Sequence, residues 1–117
     1  MANPNIVNVT SILGKTAVLN VTTTPTDIVS NGSSSNTVVK INYLSVANID
    51  GTNSATVNIS IFRSSVEYKI AHTIAVPADS SLTVLDKAVY LEEGDSLRIT
   101  ASADSDLQAV CSYEVIS

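Results

Sequence analysis

Period-two alternation of aliphatic residues constrains this chain more than any other feature. Ala55, Val57, Ile59 and Ile61 alternate with Thr56, Asn58 and Ser60. Leu97, Ile99, Ala101 and Ala103 alternate with Arg98, Thr100 and Ser102; Ala17, Leu19 and Val21 alternate with Thr16, Asn20 and Thr22, with Val18 as the exception. Successive side chains of a strand point to opposite faces, so each run has one aliphatic face and one face of hydroxyls and amides. A sheet with one apolar face must cover it, which calls for a second sheet. Val and Ile supply 26 of the 117 residues. Their β-branched side chains lose rotamer freedom in a helix and pack well on a pleated surface. No segment sustains a 3.6-residue period between caps, so no long helix is expected.

Less regular strand segments are Ile6–Thr10, Asp27–Val29, Val38–Ile49, Glu67–Val76, Leu82–Leu85, Ala88–Leu91 and Leu107–Ile116. Between them stand Asn31-Gly32 with three serines, Asp50-Gly51, Pro77-Ala78-Asp79, Glu93-Gly94-Asp95 and Asp104-Ser105-Asp106. These residues tolerate the backbone angles of tight turns. Many short strands at such intervals predict an all-β, antiparallel β-sandwich of jelly-roll-like type in a single domain. The sandwich is expected over residues 12–117. Residues 1–11, Asn-rich and with Pro4 near their start, read as an N-terminal arm or edge strand that adds to a neighbour. At this length folding removes roughly 65% of the unfolded chain's surface from water, enough for one core without staples.

The formal net charge is −5, with six Lys and Arg in total and no cluster of them. That leaves no footprint for phosphate backbones or anionic membranes, so neither nucleic acid nor membrane is expected as a partner. The single Cys111 forms no internal disulfide. The start, MANPNIVNVTSILGK, lacks a basic, apolar leader, which points to synthesis and folding in a cytoplasm. Asn-X-Ser/Thr triplets, those at Asn8, Asn20 and Asn58 among them, then read as chance products of an Asn/Ser/Thr-rich chain.

Candidate chemistry is sparse. His72, the one histidine, sits between Ala71 and Thr73 in a strand segment and reads as an ordinary strand residue. Cys111 shares a face with Leu107, Ala109 and Tyr113 and has no cationic neighbour, so it reads as a small buried hydrophobe. Three acidic groups (Asp50 with Asn53; Glu92, Glu93 and Asp95; Asp104 and Asp106) match no calcium-loop spacing and read as solvated turns. One His and one Cys exclude a zinc site. Tyr43, Tyr68, Tyr90 and Tyr113 are expected half-buried with their hydroxyls at the rim; without Trp and with one Phe they make a poor sugar platform. The sequence therefore predicts no enzyme, no catalytic residue, no cofactor and no metal.

Outward strand positions are mostly Ser, Thr, Asn and Ala, where a lone soluble domain uses Lys and Glu. Such surfaces pack against neighbours with little charge desolvation, so much of the exterior is expected to be interface.

From about Lys40 to Ser117 the chain resembles small virion structural proteins of tailed bacteriophages, especially those of marine cyanobacterial hosts. The resemblance rests on "INYLSVANIDGTNSATVNISIFR", "IAVPADSSLTVLD" and "VYLEEGDSLRITASADSDLQAVCSYEVIS". It implies a virion location and partnership with copies of itself and with major capsid, neck or tail proteins. It carries no catalytic residues. The reading it favours is a capsid decoration or cement subunit. The alternatives are a neck, tail or fibre component, or a glycan-binding module on a host-recognition fibre.

Overall fold

The computed structural model describes residues 4–117, which form nine strands and no helix. In chain order these are β1 (Ile12–Val21), β2 (Thr26–Ser30), β3 (Val38–Asn48), β4 (Ala55–Arg63), β5 (Val66–Val76), β6 (Ser81–Leu85), β7 (Val89–Leu91), β8 (Ser96–Ala101) and β9 (Leu107–Ile116). One antiparallel sheet has the order β1-β9-β3-β6, with β7 also pairing β3; the other has the order β2-β8-β4-β5. We call them sheet A and sheet B. Because β6 and β7 lie one after the other along β3, they act as a single edge strand broken at Asp86-Lys87-Ala88. Counted so, eight strands split four and four with first beside last, a jelly-roll-like order.

The inward positions of both sheets close on one core. Val46, Leu44, Ile41 and Cys111 from sheet A and Val57, Ile59, Leu97 and Ile99 from sheet B are fully buried. The alternation at Ala55–Ile61 and Leu97–Ala101 is what places them there. Ala103, which continues that pattern in sequence, lies beyond β8 in the turn leading to β9.

Two buried asparagines close the ends of the sandwich. Asn31 Nδ2 donates to the carbonyls of Leu91 (3.0 Å) and Thr37 (2.9 Å). Asn48 Nδ2 donates to the carbonyls of Val76 (2.9 Å) and Asn53 (3.0 Å), and its Oδ1 accepts from the amide of Asp50 (2.9 Å). Each satisfies backbone groups that the end of the sheets would strand away from water.

The segment Ile6–Thr10, expected as a strand, is not one. Asn5 folds it into a turn: its Oδ1 accepts from the Val7 amide at 3.0 Å and its carbonyl from the Asn8 amide at 2.9 Å. A short amide side chain competes with a ladder for such amides. Strand-like pairing starts only where Ser11 and Ser117 exchange backbone bonds of 2.9 and 3.0 Å beside the β1–β9 ladder. The first three residues of the expected arm lie outside the described residues.

Edge strand β5 was legible, but its irregularity was not. Ser64 and Ser65, both at positive φ (52° and 62°), form the two-residue turn between β4 and β5. The favoured turn of this kind uses Asn-Gly, so a Ser-Ser pair gives little signal. Thr73 also has positive φ (52°), costly for a β-branched residue, and its amide bonds Asn58 Oδ1 at 2.9 Å.

Candidate interaction surface

The described residues hold no cluster of three His, Cys, Asp or Glu placed to bind a metal ion. His72 is exposed on the bulged strand β5. Cys111 is fully buried on the core face, where desolvation pushes its thiol pKa up to about 11, far from a reactive thiolate. The acidic groups are bound into the architecture. Asp50 Oδ1 accepts from the amides of Thr52 (2.8 Å) and Asn53 (3.2 Å), which draw its pKa below the ordinary value. Asp104 Oδ1 accepts from the Thr23 amide at 2.8 Å.

Asp95 is the exception to the reading of the acidic groups as solvated turns: it is buried to 1% exposure. Arg63, at the end of β4, grips it with Nε on Oδ1 at 2.7 Å and Nη2 on Oδ2 at 2.6 Å, and Oδ2 also accepts the Glu92 amide at 2.9 Å. The Arg63 hydrogen bonds are the main reason its carboxyl pKa lies below the usual carboxylate range. Glycine at position 94, with φ of 87°, supplies the turn that aims Asp95 inward. The pairing spans 32 residues of sequence, and no spacing rule announces it.

Among the described residues the outer faces of the two sheets differ. On sheet A one cross-strand row reads Val18, Val110, Ser45, Thr83 and the next Asn20, Gln108, Ala47, Ser81. A third joins Thr16, Ser112 and Tyr43. None of these residues is charged. Gln108 Nε2 donates to Asn20 Oδ1 at 3.0 Å. Tyr43, between Ser45 and Thr83, has its pKa lowered by hydrogen bonds to both. Val18 is 74% exposed and Val110 38%. Charge appears only in the row toward the chain termini, where Lys40 Nζ and Glu114 Oε1 are 3.9 Å apart.

On sheet B the equivalent row reads Asp27, Arg98, Ser60, Lys69. Arg98 Nε donates to Asp27 Oδ1 at 3.0 Å, and its Cζ lies 3.7 Å from the centroid of the Phe62 ring. Glu67 Oε1 accepts from Ser60 Oγ (2.9 Å) and Lys69 Nζ (3.2 Å). The expectation of weakly charged exteriors therefore holds for sheet A and not for sheet B. Of the tyrosines, Tyr68 and Tyr90 border a cleft with Ile61, Arg63 and Val89, and Tyr113 packs against the core.

No protein-family model matches the sequence, and no curated protein shows significant similarity to it. Similar solved structures exist at low identity. A chain from the acid-stable capsid of the Helicobacter pylori bacteriophage KHP30 superposes with a TM-score of 0.54 at 10% identity, over 94% of this chain and 90% of that one. A subunit of the disulfide-linked pili that form Bacillus endospore appendages gives 0.52 at 16% identity, over 92% and 88%. The likeness is one of fold: an all-β, two-sheet sandwich. Among the described residues no helix is long and apolar enough to cross a membrane.

Proposed function

We propose that the chain is a non-enzymatic structural subunit of a bacteriophage virion, attached as a capsid decoration or cement protein through the outer face of sheet A. The observation that carries the proposal is the three uncharged rows on that face, set against the paired charges of sheet B. Docked surfaces lose water, and hydroxyls, amides and valines lose it at far lower cost than ionised groups. Interface centres are depleted of charge for the same reason. The shared fold with a phage capsid chain supports the assignment to a virion, and the net charge of −5 argues against the packaged nucleic acid as the partner.

Co-sedimentation of the tagged chain with purified virions, separated into capsids and tails, tests the proposal. Capsid association that is lost in the double variant Val18→Lys, Val110→Lys is the expected result. Absence from particles would sink it, and association with tails would move the subunit to the neck, tail or fibre. The Tyr68–Tyr90 cleft, with Arg63 beside it, favours a second reading as a glycan-binding module. A glycan array without binders removes that reading.

A further inference from the structure

The four edge strands of the sandwich are not equivalent. An exposed edge offers unpaired N–H and C=O groups, and natural sheets blunt such edges with short strands, breaks, bulges or charges. Three edges here carry such devices. β2 has five residues, and its register with β8 shifts between Asp27 and Val29. β5 has two shifts against β4, a positive-φ Thr73, and Glu67 and Lys69 along its length. The β6/β7 edge is interrupted at Asp86-Lys87-Ala88, and its register shifts where Leu44 and Ser45 meet Leu85 and Thr83.

The β1 edge lacks every one of these devices but a single charge. It pairs with β9 in ten consecutive positions, Ile12↔Ile116 to Val21↔Leu107, without a shift. Lys15 is its one charged residue. Ile12, Leu13 and Val18 are 56%, 54% and 74% exposed. Leu13 lies on the face that Ala17, Leu19 and Val21 turn to the core, yet it stays open. β1 runs ten residues, while β2 and β8 on the facing sheet run five and six.

We infer that the β1 edge pairs with the β1 edge of a second copy of this chain, antiparallel about a twofold axis near Ala17. The asymmetry between the edges names the occupant. A neighbour's β2, β5 or β6/β7 edge is bulged or broken and cannot extend a ten-residue ladder, whereas another β1 can. A self-complementary edge gives an isologous contact that closes at two copies. With the axis at Ala17, side-chain parity is kept and Lys15 meets the partner's Leu19, not the partner's Lys15. No acidic residue lies on β1, so the net charge of −5 per chain does not oppose the contact locally. Ile6 (52% exposed) and Val7 (84%), in the segment leading into β1, add apolar surface beside the join. Pairing would merge the two A sheets into one and place two uncharged outer faces side by side. The inference stands on strand edges alone and holds whether or not the chain sits on a virion.

Sedimentation equilibrium across the micromolar range tests it, with the variants Thr16→Pro, Ala17→Pro and Ile74→Lys. In an antiparallel strand, neighbouring residues direct their backbone groups to opposite sides. One of the two proline variants therefore strikes the β9 ladder and the other the open edge. The second is recognised by a melting temperature close to that of the wild type at low concentration. The expected result is a wild-type dimer whose dissociation constant rises at least about tenfold in the open-edge proline variant and is unchanged in Ile74→Lys on β5. A wild-type monomer at high micromolar concentration overturns the inference. So does a dimer that survives the open-edge proline, or one broken by Ile74→Lys. Virion co-sedimentation of the same variants reports separately on the capsid proposal.

Discussion

The outer faces of the two sheets are built on the same backbone plan and filled with opposite chemistry. A row across sheet A reads Val18, Val110, Ser45, Thr83; a row across sheet B reads Asp27, Arg98, Ser60, Lys69. Sheet B partners its own surface groups: Arg98 with Asp27 and Phe62, Glu67 with Ser60 and Lys69. Among the described residues, sheet A leaves its outer face without ion pairs until Lys40 and Glu114. Cross-strand pairs of opposite charge stabilise the folded chain modestly and keep a face wet. A face without them adds less to the monomer and is easier to dehydrate. Under the proposed function sheet B serves stability and sheet A serves contact, and each role can be broken separately.

The largest effect on stability is expected at Arg63. Arg63→Met leaves the buried Asp95 carboxylate with the backbone amide of Glu92 as its remaining donor among the described residues. An unpaired buried charge costs about 3–5 kcal/mol, but the Arg63 side chain is 47% exposed and water relieves part of the loss. We expect urea denaturation to show a destabilisation of about 2–3 kcal/mol. Asp95→Asn added to that variant should recover part of it, because a neutral amide still accepts the turn bond. Equal loss in the single and double variants would show that the turn, not the charge, is what Arg63 supports.

The same pair predicts the response to acid. Asp95 has a lowered pKa in the folded chain, mainly through Arg63, and Glu67 has one through Ser60 and then Lys69. Stability from a depressed carboxyl is complete above its unfolded value, near pH 4, and is lost as pH falls through the folded value. Unfolding free energy should therefore be level from neutral pH down to about 4 and decline below it. The decline should be shallower in Arg63→Met, whose Asp95 has lost the cause of its depression. An unchanged acid limb would remove Asp95 from the list of groups responsible.

Arg98→Ala is next in size. It removes one partly exposed ion pair and one stacking contact on Phe62, together about 1 kcal/mol. Raising the salt concentration should narrow the gap between this variant and the wild type, because the Asp27 contact is screened and the Phe62 packing is much less so.

Much of the sandwich could be read from the chain and much of its surface logic could not. Period two at Ala55–Ile61 and Leu97–Ala103 is a local consequence of burial, so β4 and β8 were visible, although β4 runs on to Arg63 and β8 stops at Ala101. β9 was bounded by Leu107 and Ile116 in both views. Ile6–Thr10 failed because alternation there competes with Asn5, whose side chain captures the Val7 amide. The Arg63–Asp95 grip, the Asn31 and Asn48 end closures and the unequal outer faces all depend on which strands become neighbours. A one-residue change of register would move each outward set inward, so no local window contains that information. The scarcity of outward charge was legible, but its confinement to sheet A was not.

The smallest stability change, and the sharpest test of the comparison, belongs to sheet A. Val18→Lys with Val110→Lys alters two exposed side chains that make no ion pair, and surface changes of this kind stay within about 0.5 kcal/mol. The substitutions also place two like charges opposite each other on β1 and β9, a small further cost. Denaturation curves should thus nearly coincide with the wild type. Particle binding should not, because two ammonium groups at the middle of the face must be dehydrated without partners on docking. We expect attachment at least about tenfold weaker in co-sedimentation titrations. A variant that unfolds more readily than Arg98→Ala would make the uncharged rows part of the monomer's own stability. A variant that still binds would move the docking surface elsewhere on the molecule.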